Sequence, residues 1–258
     1  MFERNALGSN AKKMKIQYSG FVLKVIAAVM TIIGTVGVAI LQNGVMNLDG
    51  YSTESLLEAM KTDSDVMGMS TLIVVCSGIA SLALPMYVLQ LIEGYRHTAS
   101  YKNYLLRIGA LAVISEVPYD LAMKDAWFTM DSQNPVFGLL IALLMIYFLD
   151  YVSEVPKFRG VMLKFFIVVA AVLWTVLFSI QSGLVLILVT AVMWIFAGNG
   201  MFTTFMAASV SILRFPAPFG FIFNHFYNGE KGAGSRKLFY VLYPLQLLVL
   251  GLVGKYCL

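Results

Sequence analysis

The sequence predicts an all-α bundle of transmembrane helices, and two observations support this prediction. Of its 258 residues, 59% are hydrophobic and 12% are charged, whereas soluble domains are roughly 45–50% apolar and about 25% charged. The apolar residues also form successive runs of about 20, which is the length that a helix needs to cross the hydrocarbon core. These properties exclude a soluble enzyme, a disulfide-stapled secreted domain and a disordered chain.

The apolar runs predict about eight to nine membrane segments. They cover residues 21–41, 71–92, 104–123, 135–152, 161–180, 183–197 and 238–255, with two further short segments inside 201–227. Two segments are expected in 201–227 because Arg214, Pro216 and Pro218 interrupt the apolar sequence and paired prolines break a helix. No cleavage pattern of a signal peptide precedes the first run. We therefore expect a cytoplasmic tail over 1–20 and a single transmembrane bundle over 21–258.

The positions of the basic residues predict the orientation. They lie before the first run (Arg4, Lys12, Lys13, Lys15), after the second (Arg96, Lys102), after the fourth (Lys157, Arg159) and before the last (Lys231, Arg236, Lys237). Cytoplasmic loops are enriched in Lys and Arg, so the N-terminus is predicted to be cytoplasmic. The net charge of +4 reflects this bias, since no nucleic-acid-reading motif accompanies it. The expected setting is the lipid bilayer of a bacterial cytoplasmic membrane, without a nucleic-acid partner.

A long acidic loop is expected on the opposite, extracytoplasmic side. It covers 42–70 and contains Asp49, Glu54, Glu58, Asp63 and Asp65. Within it, the stretch Thr53–Lys61 has helical spacing of apolar residues and a Ser/Thr cap at its start. One interpretation is a solvated helical lid. The other is a gate or a docking element for a protein partner.

Several ionisable residues lie at or inside the predicted spans, where charges are costly and often functional. Glu93, Arg96, His97 and Arg107 are expected to cluster near the cytoplasmic surface. Their charges could simply neutralise each other. Alternatively, together with Lys102, they form a pocket for a phosphate or a CoA-like anion. Cys76 and Cys257 lack the spacing of metal ligands, so no metal is expected.

Three strings around the second and third spans resemble the TraX family of integral membrane proteins. They are EGYRHT at 93–98, KNYLLR at 102–107 and ISEVPYD at 114–120. Asn134 with Phe137, YNGEKG at 227–232 and FYVLYPL at 239–245 extend the similarity, which covers about residues 20–41 and 71–255. The family includes a conjugative pilin N-acetylase and is distantly similar to membrane acyltransferases.

This resemblance implies transfer of an acetyl group from cytoplasmic acetyl-CoA to an amine or hydroxyl. The acceptor would be a membrane-associated or exported peptide, a pilin-like protein or a glycan. Such a reaction requires a base near the acceptor and donors for the thioester oxygen. The hypothesis assigns His97 as base and Glu116 as the residue that orients it. The remaining matched residues are Glu93, Arg96, Lys102, Arg107 and Asn134 for CoA or substrate binding, and Asp120, Asn228 and Tyr243 without an assigned role.

The sequence also departs from the family pattern at several polar positions. An Asp-His pair of the family stands here as Gly34-Thr35, an arginine as Ser81, an aspartate as Gln181 and a histidine as Gln246. Neutral side chains supply neither a base near pH 7 nor a fixed charge. The alternative hypothesis is therefore a catalytically inactive family member that binds a partner through its outer loop. A transporter is disfavoured because no inverted repeat is visible.

Overall fold

The structure of the protein, a computed structural model, describes residues 17–47, 52–234 and 236–257. These residues form helices, and the described part contains no strand beyond two isolated β-bridges. The fold is therefore all-α, as predicted. Residues 1–16 of the predicted tail, including Arg4, Lys12, Lys13 and Lys15, lie outside the described residues, as does Asp49 of the acidic loop.

Eleven α-helices follow one another in the described residues. Their bounds are α1 Gly20–Thr35, α2 Thr53–Thr62, α3 Ser64–Ser81, α4 Ala83–Arg96, α5 Tyr101–Lys124, α6 Pro135–Tyr151, α7 Lys157–Leu177, α8 Gly183–Ile195, α9 Gly200–Ser211, α10 Phe221–His225 and α11 Arg236–Tyr256. A π-helical segment, Val36–Val45, continues α1, and 3₁₀ turns at Ile212–Arg214 and Ala217–Gly220 separate α9 from α10.

Four helices are long and apolar enough to cross a membrane. They are Gly20–Val45, Ser64–Arg96, Phe158–Leu177 and Leu238–Tyr256. The apolar helices α6 and α8 are shorter. The 24-residue helix α5 contains Lys102, Arg107, Glu116, Asp120 and Lys124, so its charges set it apart from these four. The full count of eight to nine segments and the cytoplasmic N-terminus stay predictions.

The bundle has two ends with different charge. At the end that we call the basic end, the Tyr95 hydroxyl donates to Asp150 at 3.0 Å and Arg96 lies 5.5 Å from the Trp194 ring. These contacts bring together the ends of α4, α6 and α8. At the other, acidic end, Lys255 contacts Asp125 at 3.0 Å, which joins the end of α11 to the end of α5.

Residues 200–227 form a hairpin that returns to the end where it begins. The segment starts just after Trp194 at the basic end and comes back to it, since Tyr227 lies close to Glu93, the partner of Arg96. The arm α9 has 12 residues, so it is about 18 Å long and shorter than the hydrocarbon core. The two segments expected from the prolines are present, and both are too short to span a bilayer.

The turn of this hairpin lies deep in the bundle, against the junction of α3 and α4. A Cβ atom at Gly220 would overlap the Leu82 carbonyl oxygen, and the Asn224 amide donates to the Pro85 carbonyl at 2.9 Å. By helical rise, Leu82 is about 21 Å from Arg96. Irregular backbone at such depth requires shielding from lipid by protein or a cavity.

Two further contacts determine the shape of the interior. Gly34 and Gly37 allow α1 and its π-helical continuation to approach α3, where a Cβ on Gly34 would overlap the Ala80 methyl. At the acidic end, the buried Asn134 caps α6 by accepting from the Val136 amide at 2.9 Å. The Asn134 side chain also donates to Glu116 and to the Ala112 carbonyl, which connects α6 to α5.

Replacing Gly34 with alanine should destabilise the protein by about 1–3 kcal/mol, because the added methyl has no space beside Ala80. Gly68 is the matched control, since a Cβ there meets nothing within 4 Å and the position is exposed on α3. Gly68→Ala should be neutral or stabilising, by up to about 1 kcal/mol. Equilibrium unfolding in mixed detergent and SDS micelles measures both. Equal effects of the two substitutions would contradict the tight α1–α3 contact.

Asn134→Ala should destabilise the protein by about 2–4 kcal/mol, because it removes a helix cap and leaves buried groups of α5 without a donor. Asn199→Ala is the control, since Asn199 is exposed at the start of α9 and its side chain makes no capping bond. The same unfolding assay compares the two variants. A loss for Asn134→Ala no larger than that for Asn199→Ala would refute a stabilising role for this contact.

Candidate functional site

A cavity of about 620 Å³ extends through the interior of the bundle. Its wall follows α5 from Tyr104 to Met123, about 28 Å by helical rise, and also includes residues of α1, α3, α4 and α11. Near the acidic end the lining reaches Gln181. The volume is in the range that small-molecule sites occupy. The cavity therefore connects the neighbourhoods of the two ends of the bundle.

A charged group lines the cavity at the basic end. Glu93 and His97 are one helical turn apart, and His97 Nε2 lies 3.1 Å from a Glu93 carboxylate oxygen. Arg107 faces them from α5, where its Nε donates to the Asn103 carbonyl at 3.1 Å. The three side chains thus place an imidazole, a carboxylate and a guanidinium around one opening, which we call the mouth.

Tyr227 and Lys231 also line the mouth, from the segment that follows the hairpin. Burial and the neighbouring Glu93 carboxylate raise the pKa of the Tyr227 hydroxyl above its usual value. This hydroxyl therefore remains a hydrogen-bond donor at neutral pH. The mouth offers cations and neutral donors around a single carboxylate, a combination suited to an anionic ligand.

Deeper in the cavity, the polar lining consists mainly of hydroxyl and amide groups. Thr31 and Tyr87 join α1 to α4 through a hydrogen bond of 2.8 Å. Tyr119 and Tyr243 line the wall from α5 and α11. Arg214, in the turn of the hairpin, adds a guanidinium to the lining. Among the described lining residues, carboxylates and imidazoles occur only at the mouth.

The departures from the family pattern converge on this same cavity. Gly34 and Thr35 on α1, Ser81 on α3, Gln181 before α8 and Gln246 on α11 all line it. These residues are far apart in the sequence, so the fold brings them together. At Gly34 the close approach of Ala80 leaves no space for an aspartate side chain without movement of the helices.

The structure separates the predicted site residues into two groups. Glu93, His97, Arg107 and Tyr243 line the cavity. The others lie elsewhere. Arg96 lies over the Trp194 ring, Lys102 is exposed, Glu116 and Asn134 bond to each other, Asp120 pairs with Lys124 at 2.8 Å, and Asn228 accepts from the Glu230 amide at 2.9 Å. The pairing of His97 with Glu116 is not present, and Glu93 is the carboxylate that contacts His97.

Sequence reasoning missed several lining residues, above all Arg214. A signal was available, because Arg214 is a lone charge between apolar runs and such charges mark functional positions in membranes. The prediction from the sequence includes Arg214 only as an interruption of the apolar run in 201–227. Tyr87 and Tyr119 carried no comparable signal. Among the described residues, no group of three or more His, Cys, Asp or Glu side chains could hold a metal ion.

Comparisons with known proteins agree with the resemblance in the sequence. The family model described as TraX protein matches residues 19–254. A curated relative, the probable fimbrial assembly protein FimC, serogroup H1, of Dichelobacter nodosus, is 24% identical in an alignment 196 residues long that covers 67% of this chain and 80% of that protein. No solved structure matches the chain. Because the family model extends from the residue before α1 to the last turn of α11, the chain belongs to the TraX family.

Proposed function

We propose that the protein lies in a bacterial cytoplasmic membrane with its basic end toward the cytoplasm. Four helices have the length and hydropathy of membrane spans. Arg96, Lys102 and Arg159 lie near the basic end, whereas Asp125 and Asp131 lie in the loop at the acidic end. Membrane proteins retain Lys and Arg on the cytoplasmic side, which supports this orientation.

In this orientation, we propose that the protein transfers an acetyl group from cytoplasmic acetyl-CoA to an amine or hydroxyl. The observation that carries the proposal is the His97–Glu93 contact at the mouth of a cavity that extends toward the acidic end. A base paired with a carboxylate suits general-base catalysis. The relative is named a fimbrial assembly protein, so a pilin-like peptide is the acceptor that we favour over a glycan.

In the proposed reaction, His97, Glu93 and Arg107 each have a role. When His97 Nε2–H donates to Glu93, the Nδ1 atom keeps its lone pair and can accept a proton. The acceptor nitrogen or oxygen attacks the thioester carbonyl carbon and gives its proton to Nδ1. The bond between carbon and sulfur breaks, and the departing CoA thiolate takes the proton from the His97 imidazolium, which restores the neutral base. Glu93 stabilises the imidazolium, and Arg107 provides a planar, permanently charged donor for the CoA phosphates.

A second candidate is a catalytically inactive family member that acts as an accessory subunit. It is favoured by the cavity positions Gly34, Thr35 and Gln246, where the family pattern has an acid and bases. It is also favoured by α2, whose ten residues include none that is buried and which packs against α3. In this case α2 would dock a protein partner outside the bundle.

Arg107→Ala should weaken the binding of acetyl-CoA about tenfold or more, because a charge-assisted bond to phosphate contributes about 1.5–3 kcal/mol. Calorimetric titration of acetyl-CoA into the detergent-purified protein measures the effect, with micromolar binding expected for the wild type. Arg159→Ala is the control, since Arg159 is exposed on α7 and does not line the cavity. Absence of binding by a folded, monodisperse wild type would overturn the transferase proposal and favour the accessory subunit.

His97→Gln should lower the rate of acetyl transfer about 100-fold or more and leave acetyl-CoA binding within about twofold, because the substitution removes the base and retains a polar side chain. Release of CoA thiol, followed with a chromogenic disulfide in the presence of pilin-like peptides that carry a free amine, measures the rate. An unchanged rate would exclude His97 as the base. A similar loss in Lys102→Gln would indicate a general effect of surface charge.

A further inference from the structure

Arg214 lies inside the bundle, far from the mouth. It ends the 3₁₀ turn that follows α9, and the next residues of the hairpin pack against the α3–α4 junction about 21 Å from Arg96. Its side chain is partly buried and lines the cavity. The guanidinium is therefore presented to the cavity at a depth where the surroundings of the bundle are hydrocarbon.

This charge has no compensating carboxylate. In the described part of the chain, no Asp or Glu side chain forms an ion pair with Arg214, and the Tyr119 hydroxyl is a polar group that acts on it electrostatically. A guanidinium cannot lose its charge in a protein. A charged group at bilayer depth is costly unless an opposite charge or water surrounds it. The cavity beside Arg214 therefore favours an anionic group or water next to the guanidinium.

An unpartnered amide lines the same cavity. Both polar atoms of the Gln246 side chain are inaccessible to solvent and lack a hydrogen-bond partner in the described structure. Gln246 precedes Leu247, which belongs to the same buried cluster as Tyr119, the residue that acts on Arg214. Buried polar groups are normally paired, so an unpaired one requires an explanation. Gln246 thus adds a polar side chain without a partner among the described residues to the cavity that Arg214 lines.

We infer that Arg214, joined by Gln246 once its amide rotates into the cavity, forms a subsite that binds an oxyanion, either a carboxylate or a phosphate group carried by the ligand. A guanidinium matches the planar geometry of these groups and an amide N–H adds a neutral donor. The subsite is distinct from the mouth, where Arg107 would bind CoA. The subsite extends the proposed function, because we identify the bound group as part of the acceptor. That identification rests on the proposed function, whereas binding of an oxyanion at the subsite does not.

The test measures binding without CoA, so its outcome is independent of catalysis. Full-length protein in dodecyl maltoside micelles is titrated with dodecyl phosphate. The rise in the protein's thermal unfolding midpoint with ligand concentration gives an apparent Kd. Dodecyltrimethylammonium, which has the same chain and the opposite charge, is the control ligand. We expect stabilisation by the phosphate alone. Arg214→Gln should raise the apparent Kd at least tenfold, Gln246→Leu several-fold, and Arg159→Gln less than twofold.

Two results would overturn the inference. One is equal stabilisation by the anionic and cationic amphiphiles. The other is a folded Arg214→Gln protein that binds dodecyl phosphate like the wild type. Where Arg214→Gln does not fold, Arg214→Lys replaces it, because the retained charge favours folding while loss of the planar guanidinium should weaken binding several-fold. Unchanged binding by Arg214→Lys would then contradict the inference. Competition by millimolar inorganic phosphate would identify a water-soluble anion as the ligand, and its absence a lipid-borne one.

Discussion

Lipid offers no hydrogen bonds, so every polar group that this chain carries into the bundle must find its partner in protein or in a cavity. The Asn224–Pro85 contact of the hairpin, the Lys124–Asp120 pair of α5 and the Thr31–Tyr87 contact between α1 and α4 follow this constraint. Where the protein itself supplies the hydrogen-bond partner, the two side chains pair with each other, as Asn134 and Glu116 do. Where they do not, the polar groups surround the cavity. The same requirement thus separates residues that hold the helices together from residues that remain available to a ligand.

This separation explains why the α5 carboxylates are a poor guide to function. Glu116 and Asp120 lie at membrane depth in the sequence ISEVPYD, which resembles the family, and Glu116 is predicted to be catalytic on that basis. Each is nevertheless engaged, Glu116 by Asn134 and Asp120 by Lys124 and the Thr129 amide. Glu93 contacts both Arg96 and His97 yet remains part of the cavity wall. Structural ion pairs and functional groups share the same residue types, and only the fold distinguishes them.

The helical class followed from composition and the membrane runs from hydropathy, because both depend on sums over many residues. The contact between Glu93 and His97 was also within reach, since residues four apart share a helix face. The convergence of Ser81, Gln181 and Gln246 on one cavity was expected only through the family resemblance. The placement of Arg214 depended on how the hairpin folds back against Leu82, a tertiary contact that no local pattern encodes. Arg214 now supplies a positive charge to the cavity in which Ser81 stands for the family's arginine.

The contact between Gly34 and Ala80 limits which side chains α1 can carry at this point. An aspartate at position 34 would require a second, compensating change at Ala80 on the facing helix. Neither change alone is tolerated easily, since one introduces a clash and the other a void. The neutral residue is therefore held in place by its neighbour. An engineer who wished to install an acid or a base here would have to begin with the spacing of two helices.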